Sequence, residues 1–167
     1  MLNVTKKTVS VLLIFFLCAS LSFCSYEQRV DFSECVRRMN KLSDTYKIVI
    51  EDAFFSEGEW FVFVSTLCEN DILVTGTEDE NKLLTRVSVS VINSLAEGQA
   101  EIFTDFCIAA VAAFTENADT DKILTDSHIY DEGIIFSDGA FFGENGRYKT
   151  SFYTAQTGST FVIEIVR

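Results

Sequence analysis

The apolar residues of this chain switch between two spacings, and this switching constrains the fold more than any other feature. Residues 32–43 and 99–115 carry apolar side chains at helical spacing, whereas residues 46–92 and most of 133–166 carry them in short strand-like runs, most of which alternate and one of which, residues 60–64, is apolar at every position. Spacing by three and four predicts an amphipathic helix, and alternation predicts a half-buried strand. The order helix, four strands, helix, three or four strands predicts an α+β fold.

Two main helices are predicted. The first runs from Phe32 to Ser43, because Asp31 and Glu34 form an N-terminal capping pattern. Its apolar face comprises Cys35, Val36, Met39 and Leu42. The second runs from Gln99 to Thr115, is rich in alanine, and is expected to lie across the sheet. A short helical turn is expected from Asp119 to Ser127.

The alternating segments predict two hairpins and a C-terminal meander. The first hairpin covers residues 46–66, and the second covers residues 71–92 around an acidic turn. Three tight turns are predicted in the tail from residue pairs that tolerate a positive φ, namely Asp138-Gly139, Asn145-Gly146 and Gly158-Ser159. We therefore predict a mostly antiparallel sheet of about seven or eight strands with the two main helices on one face. The order of elements suggests two similar α-β4 halves, although no repeat of individual residues accompanies it.

The first 24 residues have the layout of a secretory signal. Lys6 and Lys7 precede an apolar run at residues 9–17, and small residues follow. The apolar stretch would extend about 22 Å as a helix, against a hydrocarbon core of about 30 Å, which favours a cleaved signal over a membrane anchor. Residues 21–24 resemble a lipoprotein box ending at Cys24, but Phe23 stands where that box has a small residue. Lipidation of Cys24 and ordinary cleavage after it both stay open.

The remainder of the chain, residues 25–167, is predicted to be a single α+β globular domain, because no proline and no linker-like segment interrupts it. The protein is expected to be secreted or attached to the outer face of the cell membrane. Contact with the membrane is expected only through the N-terminal segment.

The negative charge of the chain argues against polyanionic partners. There are 13 Lys and Arg residues against 25 Asp and Glu residues, a net charge of −12. Nucleic-acid binding requires clustered cations that displace counterions from the phosphates. We therefore expect no nucleic-acid partner and no adhesion to an anionic membrane surface.

The sequence contains no recognisable catalytic, metal or cofactor site. His128 is the single histidine, and no nucleophile can be assigned to it. Asn117, Asp119 and Asp121 have the spacing of the first ligands in a calcium loop, but Lys122 and His128 occupy the positions that need Gly and Glu. A weak calcium site and a solvated acidic loop stay open. The three cysteines after the signal, Cys35, Cys68 and Cys107, are either buried thiols or one disulfide with a spare thiol.

The aromatic residues are the remaining unusual feature, with 16 Phe, 5 Tyr and 1 Trp. They cluster in the first hairpin and in the last strands. They either fill a thick core or form a binding surface on the sheet. Trp60, Phe141 and Phe142 are predicted to anchor such a surface.

The export signal, the VSVSV strand at residues 87–91, the FCIAAVAAF helix segment and the final TFVIEIV strand resemble small uncharacterised exported proteins and lipoproteins of Gram-positive bacteria. The resemblance concerns the general layout over most of the chain. It implies a secreted or cell-surface α+β domain without an assigned activity, and it supplies no site residues.

These features favour a non-enzymatic extracytoplasmic module that binds an unknown protein or a small apolar ligand through an aromatic sheet face. Two other hypotheses stay open. One is a small exported hydrolase whose active site, built from acids or His128, is assembled only by the fold. The other is an assembly protein that pairs with itself through apolar strands.

Overall fold

The computed structural model describes residues 29–42, 50–56, 59–64, 72–91, 99–115, 119–131, 137–155 and 157–166. The predicted signal segment at residues 1–24, with Cys24, lies outside the described residues. The same holds for Cys68, for Asn117 and for most of the predicted strand at residues 133–137.

The described elements follow the predicted alternation of helices and strands. The helices are α1 (Phe32–Leu42), α2 (Gln99–Phe114) and α3 (Thr120–Asp126). The strands are β1 (Ile50–Ser56), β2 (Glu59–Val64), β3 (Ile72–Glu78), β4 (Leu84–Val91), β5 (Gly139–Asn145), β6 (Tyr148–Ala155) and β7 (Gly158–Ile165).

The described strands form an antiparallel arrangement in the order β1-β2-β3-β4-β7-β6-β5. The first four strands and the last three strands each form a meander, because neighbours in sequence are neighbours in the sheet. The two meanders meet where β4 pairs with β7, with Val89 opposite Phe161 and Val87 opposite Ile163. The α+β class and the antiparallel sheet are therefore confirmed.

The helices cover one face of the sheet, which we call the inner face. Residues Val87, Val89 and Val91 of β4 point into the core, and each is at most 4% exposed. The largest fully buried side chains come from all three described helices and from both meanders; they include Met39, Phe103, Ile123, Ile72, Leu84, Phe152 and Phe161. Residues from Val30 to Ile163 therefore belong to the same hydrophobic core, which both meanders share.

The N-terminus of α1 forms as its capping pattern predicts. The backbone N–H of Glu34 donates to Asp31 Oδ1 at 2.8 Å. The Glu34 carboxylate accepts hydrogen bonds from Arg37 and Arg38, which lower its pKa to about 2. Leu42, which helical spacing places on the apolar face with Met39, is the last residue of α1 and is 57% exposed. Met39 still packs in the core, whereas the last turn of α1 extends beyond the edge of the core.

The turns were predicted in part. Gly146 adopts a φ of +61° and Gly158 a φ of +149°, as expected for the turns flanking β6. Gly139 is the first residue of β5 and has no left-handed φ, and the segment predicted to precede the Asp138-Gly139 turn lies largely outside the described residues. Within the described ranges, Lys82 at +60° and His128 at +62° adopt the left-handed region although both carry side chains.

Candidate functional site

The sheet face opposite the helices, which we call the outer face, has a hydroxyl-rich centre. Alternate residues of β3, β4 and β7 present small polar side chains there. The hydroxyl groups of Thr75 and Ser88 are hydrogen-bonded to each other, and Thr160 Oγ1 donates to Ser90 Oγ at 3.0 Å. The hydroxyls of β3, β4 and β7 thus satisfy one another between neighbouring strands.

The outer face ends at β5 in an exposed aromatic pair, which we call the aromatic corner. It consists of Phe142 of β5 and Tyr153 of β6, which are 64% and 45% exposed. Their ring centroids lie 5.9 Å apart in an edge-to-face arrangement. They are diagonal neighbours, since Phe142 pairs with Ser151 and Ala140 pairs with Tyr153. Glu144 and Lys149, which pair directly, place one charge of each sign beside the corner.

Phe141 lies on the opposite face of β5 from Phe142, as alternation along a strand requires. Its ring centroid is 6.2 Å from that of Phe152 and 5.8 Å from that of His128. Phe141 is half-buried against the core. The structure therefore assigns different surroundings to the two neighbouring phenylalanines that the sequence grouped together.

Trp60 lies far from both of them in the sheet. Strands β3, β4, β7 and β6 separate β2 from β5, a distance of about 24 Å at the usual strand spacing. The Trp60 ring stacks on Phe32 at 5.9 Å with an interplanar angle of 1°, and its Nε1 is buried without a hydrogen-bond partner. The three predicted anchor residues are thus not brought together.

Gly76 makes room for the contact between Trp60 and Phe32 of α1. Gly76 is the β3 partner of Trp60, and a Cβ there would lie 2.5 Å from the Phe32 ring. The missing side chain leaves room for Phe32 beside the indole. The side chains of Phe61 and Phe63 lie outside the part that the structure describes.

His128 forms a pair with Asp131, with 2.8 Å between Nδ1 and Oδ2. Both side chains are about half exposed. A cavity near the β3–β4 connection, described below, is not lined by His128. The pair alone supplies a base and its orienting carboxylate, whereas hydrolysis also needs a nucleophile and a substrate pocket.

Asp119 acts as the N-cap of α3. Its Oδ1 accepts a hydrogen bond from the backbone N–H of Lys122 at 3.0 Å. The spacing of Asp119 suggested a calcium ligand, whereas its position directly before the helical segment, three residues ahead of Lys122, is typical of an N-cap. Within the described ranges, no group of three or more His, Cys, Asp or Glu side chains is placed to hold a metal ion.

The two described cysteines, Cys35 on α1 and Cys107 on α2, are buried free thiols. Desolvation by burial raises the pKa of Cys35 to about 12 and raises that of Cys107 as well. A thiol acts as a nucleophile or metal ligand in its thiolate form. Neither cysteine is therefore suited to catalysis.

A cavity of about 440 Å³ opens at one end of the sheet. We call it the turn cavity, because the β3–β4 turn at residues 79–81 forms one wall. Its other described lining residues are Arg29, Thr85, Arg147, Ile165 and Val166. The sequence analysis did not predict this site, since its walls come from four distant parts of the chain.

Among the helices in the described part of the chain, none combines the length and the apolar character needed to cross a bilayer. Comparisons with protein-family models, with curated proteins and with solved structures found no match.

Proposed function

We propose that this protein is a non-enzymatic binding module, secreted or held at the outer face of the cell membrane, that binds a partner protein through the aromatic corner. The observation that supports this proposal is the exposure of Phe142 beside Tyr153 on the outer face. Export is supported by the signal-like layout of residues 1–24.

The Phe142 side chain does not contribute to the hydrophobic core, because it is 64% exposed. Phe152 and Phe161 in the neighbouring strands are fully buried, so the core already has its aromatic residues. Full burial of a phenylalanine side chain stabilises by roughly 1.5–3 kcal/mol, which a partner could recover on binding. Exposed aromatic residues that cluster on a surface are typical anchors of protein interfaces.

A protein partner fits the aromatic corner better than a small apolar ligand does. Small ligands are usually enclosed in concave, largely apolar pockets. Phe142 and Tyr153 instead project from neighbouring strands at the margin of the sheet. Because the chain carries a net charge of −12, a partner with an apolar centre and a basic rim would be electrostatically complementary.

The hydrolase hypothesis requires a pocket lined by His128 and acidic residues. It is less well supported, because His128 does not line the turn cavity. In the self-assembly hypothesis, the aromatic corner would also be the binding surface. In that case the partner would be a second copy that meets the first at β5. Size-exclusion chromatography of the purified protein distinguishes self-assembly from binding to a different protein.

The proposal includes a finer description of the fold. We propose that the complete sheet has about seven or eight strands and that the chain comprises two similar α-β4 halves. The antiparallel pairing of β4 with β7 supports this, because it joins the last strand of one meander to the last strand of the other.

Site-specific photocrosslinking in the producing cells tests the proposed function. A benzophenone-bearing residue replaces Phe142 in one variant and Leu42 in a matched control, since Leu42 is 57% exposed on α1. We expect position 142 to crosslink to one distinct protein and position 42 not to do so. The purified partner should then bind F142S at least about tenfold more weakly than wild type, a loss of roughly 1.4 kcal/mol.

Three results would contradict the proposal. These are identical crosslinks from both positions, no crosslink from position 142, and equal affinity of F142S and L42S for the captured protein. A crosslink between two copies of this chain would support the self-assembly hypothesis instead.

A further inference from the structure

We propose that the turn cavity binds a small carboxylate with a compact apolar body. This site is separate from the aromatic corner, and the proposal does not depend on the proposed function. The cavity volume of about 440 Å³ lies within the range of pockets that hold small molecules. Four observations on its walls indicate the chemistry of the ligand.

The first observation is an arginine that is fixed in position. Arg29 Nη1 lies 2.7 Å from Asp79 Oδ2, and the Arg29 side chain is 27% exposed. A guanidinium group carries five hydrogen-bond donors, so this contact leaves others for a ligand. Arg29 is thus oriented at the cavity wall before any ligand arrives, which lowers the entropy cost of binding.

The second observation is that the Asp79 carboxylate is occupied by groups of the protein itself. Its Oδ1 accepts hydrogen bonds from the backbone N–H groups of Asn81 at 2.9 Å and Leu83 at 3.2 Å. Burial favours the neutral acid, but these bonds and Arg29 outweigh burial and lower the pKa of Asp79. Asp79 therefore stays charged and serves to hold the turn and Arg29.

The third observation is a second arginine in the same cavity. The Cζ of Arg147 lies 5.6 Å from the centroid of the Tyr148 ring, a favourable cation–π distance. The backbone of Arg147 is tied to the end of β7, because Val166 N donates to Arg147 O at 2.7 Å. Two guanidinium groups thus line one cavity in a chain whose net charge is −12.

The fourth observation is the composition of the remaining wall. Ile165 and Val166 supply apolar surface, whereas Asp79 and Glu80 supply negative charge. A planar guanidinium fork matches the two oxygens of a carboxylate. The nearby acids disfavour a dianion such as phosphate, and the apolar residues favour a ligand with a hydrocarbon body. A monocarboxylate satisfies all of these conditions.

Amide chemical shifts of the full chain, titrated with three probes, test this proposal. The probes are benzoate, benzyl alcohol and inorganic phosphate. We expect benzoate to shift the amides of Asn81, Thr85 and Val166 with a Kd of about 1 mM, a value typical of a small fragment. Benzyl alcohol lacks the charge and phosphate lacks the apolar body, so both should bind at least about tenfold more weakly.

Arginine variants test the role of the cation. Arg147→Gln should weaken benzoate binding at least about tenfold, and Arg147→Lys should have an intermediate effect because it keeps the charge but loses the fork. The matched control is Arg37→Gln, which removes the same charge from an exposed position on α1 and should leave binding unchanged. Melting curves of all variants verify that each one is folded.

Several outcomes would overturn the proposal. One is the absence of benzoate-induced shifts at the cavity residues. Another is equal weakening by Arg37→Gln and Arg147→Gln, which would indicate a general charge effect. Phosphate or benzyl alcohol binding as tightly as benzoate would exclude the proposed ligand class.

Discussion

Gly143 allows the C-terminal end of α3 to approach β5 closely. A Cβ at this position would lie 2.6 Å from Thr150 Oγ1 and 2.7 Å from the carbonyl oxygen of Asp126. The second contact is with backbone, which cannot rotate away as a side chain can. Gly146 differs, because a Cβ there would meet nothing within 4 Å and its φ of +61° is the constraint.

Gly143→Ala should therefore lower the free energy of unfolding by about 1–3 kcal/mol, the usual cost of overpacking. Gly146→Asn is the control, since asparagine tolerates the left-handed region, and it should change stability by less than about 1 kcal/mol. Urea denaturation of both variants measures the difference. Equal stability of the two variants would contradict the close approach of α3 to β5.

The burial of Cys35 and Cys107 gives a prediction about thiol reactivity. Because desolvation raises the pKa of both thiols, few thiolates exist at pH 8 and reagents cannot reach them. Iodoacetamide should leave both residues unmodified in the folded protein and modify both in guanidinium chloride. Peptide mass mapping measures this. Rapid labelling of either residue in the folded state would show that its helix face is accessible.

At the level of elements, the β3–β4 connection combines a side-chain cap with a left-handed residue. Asp79 accepts two backbone hydrogen bonds within the turn, and the N–H of Lys82 donates to the carbonyl of Asp79 at 2.9 Å. Lys82 adopts a φ of +60°, which costs a residue with a side chain roughly 1–2 kcal/mol. The hydrogen bonds of the turn therefore hold Lys82 in a left-handed conformation that a lysine does not prefer.

Lys82→Gly should raise the free energy of unfolding by about 0.5–1 kcal/mol, because relief of the left-handed strain exceeds the entropy cost of glycine. Lys122→Gly removes the same charge from an exposed position in α3. This control should lower stability by up to about 1 kcal/mol, since glycine disfavours a helix. Thermal or urea unfolding compares the two variants, and a loss of stability in both would contradict the left-handed assignment.

At the level of the whole molecule, the β4–β7 pairing and the shared core join the two meanders. Trp60, the single tryptophan, lies in the first meander, whereas Ile163 lies in the second and is fully buried. If the molecule unfolds as one unit, the fluorescence of Trp60 must respond to a substitution at Ile163. If the meanders unfold separately, it will not.

Ile163→Val should lower the free energy of unfolding by about 0.5–1.5 kcal/mol. The transition monitored by Trp60 fluorescence should shift together with the transition monitored by far-ultraviolet circular dichroism. Leu42→Ala, at the exposed end of α1, is the control and should shift neither. A shift in circular dichroism with unchanged fluorescence would indicate two independent units.

The class of fold and most of the elements follow from local features of the sequence. Apolar spacing and capping residues act over a few positions, so they identified α1, α2 and the alternation of β4 without knowledge of the rest of the chain. The turn at Asn145-Gly146 was predictable for the same reason. The left-handed Lys82 was not, because neighbouring strands impose that conformation on a residue that does not prefer it.

Which distant residues meet depends on non-local packing. The order of strands depends on pairings such as β4 with β7, whose stability comes from apolar surface buried between segments far apart in sequence. This order separates Trp60 from Phe142, exposes Phe142 beside Tyr153, and brings Arg29 and Arg147 to one cavity. Composition and spacing identify residues that could bind, but a binding site is a spatial arrangement, which non-local packing creates.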